Sequence, residues 1–153
     1  MATRLLTLSP EDQVVLQHSD ELDGTNRKKK VLVVDDDDAI RTMVERVLRR
    51  SEYEVESARD GFEAIEKLTS NDYSTVLLDL MMPRVDGHGV LRFLENEHSE
   101  PTPPVIVMTA NLPGVSDTRS SKPVFRVLPK PFDISQLLAH VHASVGEPAA
   151  SNE

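Results

Sequence analysis

Cysteine and tryptophan are both absent from this 153-residue chain. Without cysteine there are no disulfides and no thiolate metal sites, so any metal must be held by oxygen or imidazole. No apolar run approaches the roughly 18 residues of a membrane-crossing helix, and residues 1–9 lack the apolar centre of a secretory leader. An excess of positive charge is missing too. Lys and Arg number 17 against 26 Asp and Glu, for a net charge of −9, which argues against a general binder of nucleic acid or of anionic membranes. The expectation is a cytoplasmic chain with neither nucleic acid nor membrane insertion in its chemistry. The remaining composition, 39% hydrophobic and 28% charged, is that of one soluble domain with a short extension.

The organising stretch is Val31-Leu32-Val33-Val34-Asp35-Asp36-Asp37-Asp38. Its apolar half reads as a strand buried on both faces. Its acidic half needs a cation, a lysine or open water, because four adjacent carboxylates repel one another. Ahead of it, residues 1–29 form an N-terminal extension in which Ser9-Pro10-Glu11-Asp12 starts a possible short helix. After it, helical and extended patterns alternate. Ile40, Met43, Val44, Val47 and Leu48 share one helix face, with Asp38 as the expected cap and Asp37 as a loop residue. Tyr53, Val55 and Ser57 alternate with Glu54 and Glu56, as in a strand with one wet face at a sheet edge. Phe62, Ile65 and Leu68 give a second helix face, residues 76–80 a buried strand, and Val90, Leu91 and Leu94 a third helix. Residues 105–109 are another buried strand. Residues 124–128, broken by Arg126, suit the opposite edge. Ile134, Leu137, Leu138, Val141 and Val145 mark the last helix, and a disordered tail is expected at 147–153. Pro113-Gly114, Pro123 and the Ser/Thr content between them leave the helix between the fourth and fifth strands weak or missing.

Five strands alternating with helices predict an α/β doubly wound parallel sheet, flavodoxin-like, in the order 2-1-3-4-5, occupying residues 30–146. Ligands of such sheets bind beyond the carboxyl ends of the strands. There the chain delivers Asp35 and Asp36 from strand one, Asp79 from strand three, Thr109 from strand four and Lys130 from strand five. One such residue is an ordinary cap or turn, but five at matching strand ends make a site. Oxygen ligands alone select a hard cation, most naturally Mg2+. A carboxylate held beside it can attack phosphorus and form an acyl phosphate, with Lys130 and Thr109 offsetting charge on the transferred group.

Val-Leu-Val-Val-Asp-Asp-Asp, Leu-Leu-Asp-Leu-Met-Met-Pro-Arg-Val-Asp-Gly, Val-Met-Thr-Ala and Pro-Lys-Pro-Phe resemble the four signatures of response-regulator receiver domains of two-component signalling, in order and at matching spacing. The resemblance implies that Asp79 is the phosphoacceptor, that Asp36 binds Mg2+ directly and Asp35 mainly through water, and that the Met81 carbonyl is a further ligand. It implies Thr109 as the switch hydroxyl, Lys130 as the partner of the phosphoryl group, and a Lys130–Pro131 bond that is often cis. The donor it implies is a phosphohistidine on a sensor histidine kinase or a histidine phosphotransfer protein. The output is contact with a downstream protein partner, not enzymatic turnover, and no output domain is expected after Val145.

The departures from the family pattern are specific. Val127 stands where the family places its switch aromatic, with Phe125 two residues earlier and expected on the same side of the strand. The small-residue pair before the fifth strand is missing. Met81 and Asn111 occupy positions that modulate acyl-phosphate hydrolysis in the family, and an apolar Met81 predicts slow self-dephosphorylation. Two other readings stand beside the first. One is a receiver-like interaction module with an altered switch. The other is a haloacid-dehalogenase-type phosphatase using Asp35 and Asp37, against which Ala39 stands where that class has Thr or Val. His18, His88, His98, His140 and His142 share no metal-type spacing and read as surface residues. Met43, Met81, Met82 and Met108 read as core or site-lining residues.

Overall fold

The computed structural model describes residues 28–82, 84–98, 100–110 and 122–146. The expectations for residues 1–27, for Asn111 and the weak helix, for His18 and for the tail lie outside these residues. The strands are β1 (Lys30–Val34), β2 (Glu54–Ala58), β3 (Thr75–Asp79), β4 (Val105–Thr109) and β5 (Val124–Pro129). The described helices are α1 (Asp38–Arg50), α2 (Gly61–Ser70), α3 (Gly87–Asn96) and α4 (Ile134–Ser144). All strand pairs are parallel and run in the order β2-β1-β3-β4-β5, as the patterning predicts.

The three interior strands are near-continuous apolar runs because both faces of the sheet are covered. Leu32, Val34, Val76, Leu78, Val105 and Val107 pack with α2 and α3 through Ala64, Leu68, Val90, Leu91 and Leu94. Val31, Val33, Leu77, Ile106 and Met108 pack on the other face with Val44 and Leu48 of α1 and Leu137 and Val141 of α4. The β2 edge is wet only at its start. Glu54 is exposed, Glu56 is tied to Lys30 at 2.9 Å and to the Tyr73 hydroxyl at 2.5 Å, and Ala58 is buried.

Several local readings need correction. The cap of α1 is Asp37, whose Oδ1 accepts the Ile40 N–H at 3.0 Å. Asp38 is instead the first helical residue and pairs with Arg41. Phe62 and Ile134 stand on the outer side of their helices, 48% and 47% exposed. His98, His140 and His142 are half-buried, and the Tyr53 hydroxyl and His142 Nδ1 share a hydrogen bond.

The largest departure is in β5. Val105 pairs with Val124 but Ile106 pairs with Arg126, so Phe125 is an extra residue in a β-bulge. The bulge reverses the side-chain count. Val124 and Val127 pack on the α2–α3 face, whereas Phe125 packs on the α1–α4 face. Phe125 is therefore on the opposite side of the sheet from Val127, not the same side.

The loops at the carboxyl ends are fitted to one another without spare room. The Gly61 N–H donates to the Val85 carbonyl at 2.9 Å, and a Cβ on Gly61 would lie 2.1 Å from that oxygen. Gly61→Ala must push the β3–α3 loop away, and is expected to cost about 2 kcal/mol. A lowered midpoint in urea unfolding reads this out. An unchanged midpoint would mean that the two loops do not meet as described.

Candidate functional site

Each site residue is placed by the end of a strand. Asp35 follows β1 directly and is fully buried. Its N–H donates to the Ala58 carbonyl at 3.1 Å, extending the β1–β2 ladder by one bond. Its Oδ1 accepts the Asp37 N–H at 2.9 Å, and its carbonyl accepts from Arg41 Nη1 at 2.9 Å. Asp36, the next residue, is exposed. Asp79 ends β3 and is 4% exposed. Its Oδ1 accepts the Met81 N–H at 3.0 Å, which fixes the carboxylate's orientation. Thr109 ends β4 and is buried. Its carbonyl accepts the Lys130 N–H at 2.9 Å, so the ends of β4 and β5 are stitched together just where the lysine leaves the sheet. The Lys130–Pro131 bond is cis.

Lys130 joins the two buried carboxylates. Its Nζ lies 2.8 Å from Asp35 Oδ2 and 3.4 Å from Asp79 Oδ2. Burial works against its charge, but Asp35 and Asp79 outweigh burial and raise its pKa above the ordinary lysine value. Burial, and then the negative charge of Asp35, push the Asp79 carboxyl up to about 6, against the opposing pull of the Met81 N–H and Lys130.

Asp35, Asp36 and Asp79 each offer a carboxylate oxygen, and these oxygens lie within 4.8 Å of one another. Among the described residues this is the group suited to a metal ion. Three carboxylates against one ammonium leave an uncompensated double negative charge, and the donors are all hard oxygens. Both properties fit a Mg2+-sized divalent cation. A recess of about 330 Å³ lined by Asp36, Leu80, Met81, Met82 and Asp86 opens beside the cluster. Met81 stands at its rim with 58% of its surface exposed. Met108 is fully buried, and Met43 and Met82 pack against the core.

Five residues brought to one edge from four strands were legible as a group. Val127 is partly buried beneath α2 and α3. Two contributors were missed. Arg41 reaches back from α1 to the Asp35 carbonyl, and Arg84 binds Asp60 across the neighbouring loop at 3.3 Å. The six-residue spacing of Asp35 and Arg41 could have suggested the first. Nothing in spacing announces the second, which joins residues 24 apart.

A sheet of this order, with acids on strands one and three and a lysine after strand five, defines the receiver class. The chain belongs to that family: residues 31–142 match the response regulator receiver domain. It is 40% identical over 116 residues to the response regulator MprA of Mycobacterium sp. (strain KMS), covering 74% of this chain and 49% of that protein. The chain thus spans about half the length of the curated relatives it matches. The signal receiver domain of a response regulator from Bermanella marisrubri superposes with a TM-score of 0.69 at 36% identity, covering 78% of this chain and 99% of that one. The receiver domain of sensor histidine kinase PA1611 from Pseudomonas aeruginosa PAO1 superposes with a TM-score of 0.70 at 27% identity, covering 78% and 99%. That structure has a magnesium ion coordinated in its active-site cleft.

Proposed function

We propose that Asp79 accepts a phosphoryl group from a phosphohistidine on a sensor histidine kinase or a histidine phosphotransfer protein. In this reading the reaction depends on Mg2+, takes place in the receiver unit of residues 30–146 in a cytoplasmic setting, and signals through contact with a downstream protein partner. The observation that carries the reading is the meeting of Asp35, Asp36 and Asp79 with Lys130 bridging two of them.

Asp35, Asp36, Asp79 and the Met81 carbonyl would hold Mg2+, which when bound supplies Lewis-acid stabilisation of phosphoryl oxygens. The chain's own residues do the rest. The Met81 N–H holds Asp79 in place from Oδ1, so that the carboxylate is oriented before the donor arrives. An Asp79 oxygen forms the new O–P bond as the P–N bond to the donor imidazole breaks, and the imidazole keeps the electron pair and takes up a proton. Lys130 sets a positive charge where the arriving oxygens gather, and the Thr109 hydroxyl donates to one of them. The chemistry is the chain's own phosphorylation and its slow reversal, without turnover of a separate substrate.

Intact mass of the full chain incubated with Mg2+ and a small acyl-phosphate donor tests this. One phosphoryl gain is expected, mapping to Asp79, lost with a chelator and persisting well beyond seconds once donor is removed. A gain that maps elsewhere, or that ignores the chelator, defeats the reading. The phosphatase alternative is disfavoured by Asp37, whose carboxylate is engaged in capping α1. The bulge at Phe125 keeps one second reading in view, a receiver whose switch is altered because no aromatic of β5 faces the α2–α3 side.

A further inference from the structure

We propose that Arg84 is a positioning residue that holds the β3–α3 loop so that Met81 presents its backbone to the site. The proposal rests on the Mg2+-dependent reading above. Met81 itself cannot anchor that backbone, because its side chain is largely exposed, although its N–H fixes Asp79. The loop must be held by its neighbours.

Its two ends are closed on each other. The Gly87 N–H donates to the Leu80 carbonyl at 3.2 Å, and a Cβ on Gly87 would lie 2.5 Å from the Leu80 Cα. Its inner side is held by Met82, which packs on the core. Its outer side hangs from the loop that begins α2. There the Val85 carbonyl takes the Gly61 N–H at 2.9 Å, and Arg84 makes two contacts. Arg84 Nη1 donates to Asp60 Oδ2 at 3.3 Å, and the guanidinium lies 5.1 Å from the Phe62 ring centroid. Asp60 is itself immobilised, because its Oδ1 caps α2 by accepting the Glu63 N–H at 2.8 Å.

Arg84 has φ +63°. This left-handed backbone is disfavoured for all residues but glycine and persists where surrounding contacts fix it. With 63% of its side chain exposed, the ion pair adds little to global stability. Its effect lies in where it holds the loop, and so in the Met81 carbonyl and N–H.

The test separates geometry from stability. Asp60→Asn keeps an oxygen to cap α2 but removes the charge that Arg84 binds. Arg84→Gly removes the guanidinium while suiting the positive φ. Mg2+ affinity of the full chain, read from backbone amide shifts, should weaken about three- to tenfold in either variant. Thermal midpoints should match the wild type, and the double variant should be no weaker than the weaker single. Arg84→Lys, which keeps the charge without the planar fork, should fall between. Wild-type affinity in either single variant overturns the proposal, as does a loss of affinity matched by a fall in midpoint. If the wild type binds no Mg2+, or Asp36→Asn binds it equally well, the metal reading fails, and the proposal fails with it.

Discussion

Asp79→Asn should abolish phosphoryl uptake and, in the absence of divalent cations, make the folded chain more stable at neutral pH. The first effect follows from losing the nucleophilic oxygen, since a neutral amide does not attack phosphorus. The second follows from the cost of holding the carboxylate. Burial and the charge of Asp35 raise the Asp79 carboxyl to about 6, against about 3.9 in an unfolded chain. The folded state therefore favours the protonated form. The stability this group contributes is fully present below about pH 4 and is lost as pH rises through about 6, amounting to about 3 kcal/mol. Asn carries no proton to lose and can still accept the Met81 N–H. Urea unfolding in chelator should show the variant and wild type converging toward pH 4 and diverging by about 3 kcal/mol above pH 7. A difference that does not vary with pH would show that Asp79 is not strained by its surroundings.

Lys130→Met should act in the opposite direction. The Asp35 carboxylate is fully buried, and Lys130, itself 15% exposed, lies 2.8 Å from it. Removing one partner of a buried pair leaves the other charge without compensation, which costs on the order of 3 kcal/mol. The site would then hold three carboxylates and no cation of its own. Divalent ions should bind it more tightly than they bind the wild type, and return part of the loss. At ten times the dissociation constant that return is about 1.4 kcal/mol. Thermal unfolding with and without Mg2+ should show a midpoint well below the wild type's in chelator and a larger Mg2+-induced rise. A variant as stable as the wild type in chelator would mean that water already compensates Asp35.

The interior of the fold was readable because physics leaves it few options. Strands covered on both faces must be apolar where they run inside, and residues 31–34, 76–78 and 105–108 are, with Asp79 and Thr109 placed only at the strand ends. Two strands with polar interruptions belong at edges, and the strand order follows. The site was readable for a related reason, since a polar residue directly after a buried strand emerges at one known edge. What was not legible depends on single-residue choices. Asp37 and Asp38 are chemically alike, so composition does not say which one caps α1; the Ile40 N–H decides it. Phe125 was misplaced because strict alternation ignores bulges, whose presence depends on β4 rather than on β5 alone. Arg84 and Asp60 are 24 residues apart on different loops, and surface charges offer no period that would join them.

The bulge has a consequence for how copies of the chain avoid one another. In this sheet β5 is an outer strand, and a straight outer strand would present evenly spaced amides and carbonyls to any extended segment that came alongside. One extra residue between the partners of Val105 and Ile106 breaks that spacing. An incoming strand could follow only half of β5 before its main-chain groups fell out of step. Arg126, exposed and lying 4.4 Å from the Phe125 ring centroid, adds a charge at the same point. Recognition at this edge is therefore left to side chains, and the irregularity that confuses a residue count also protects the sheet from growing.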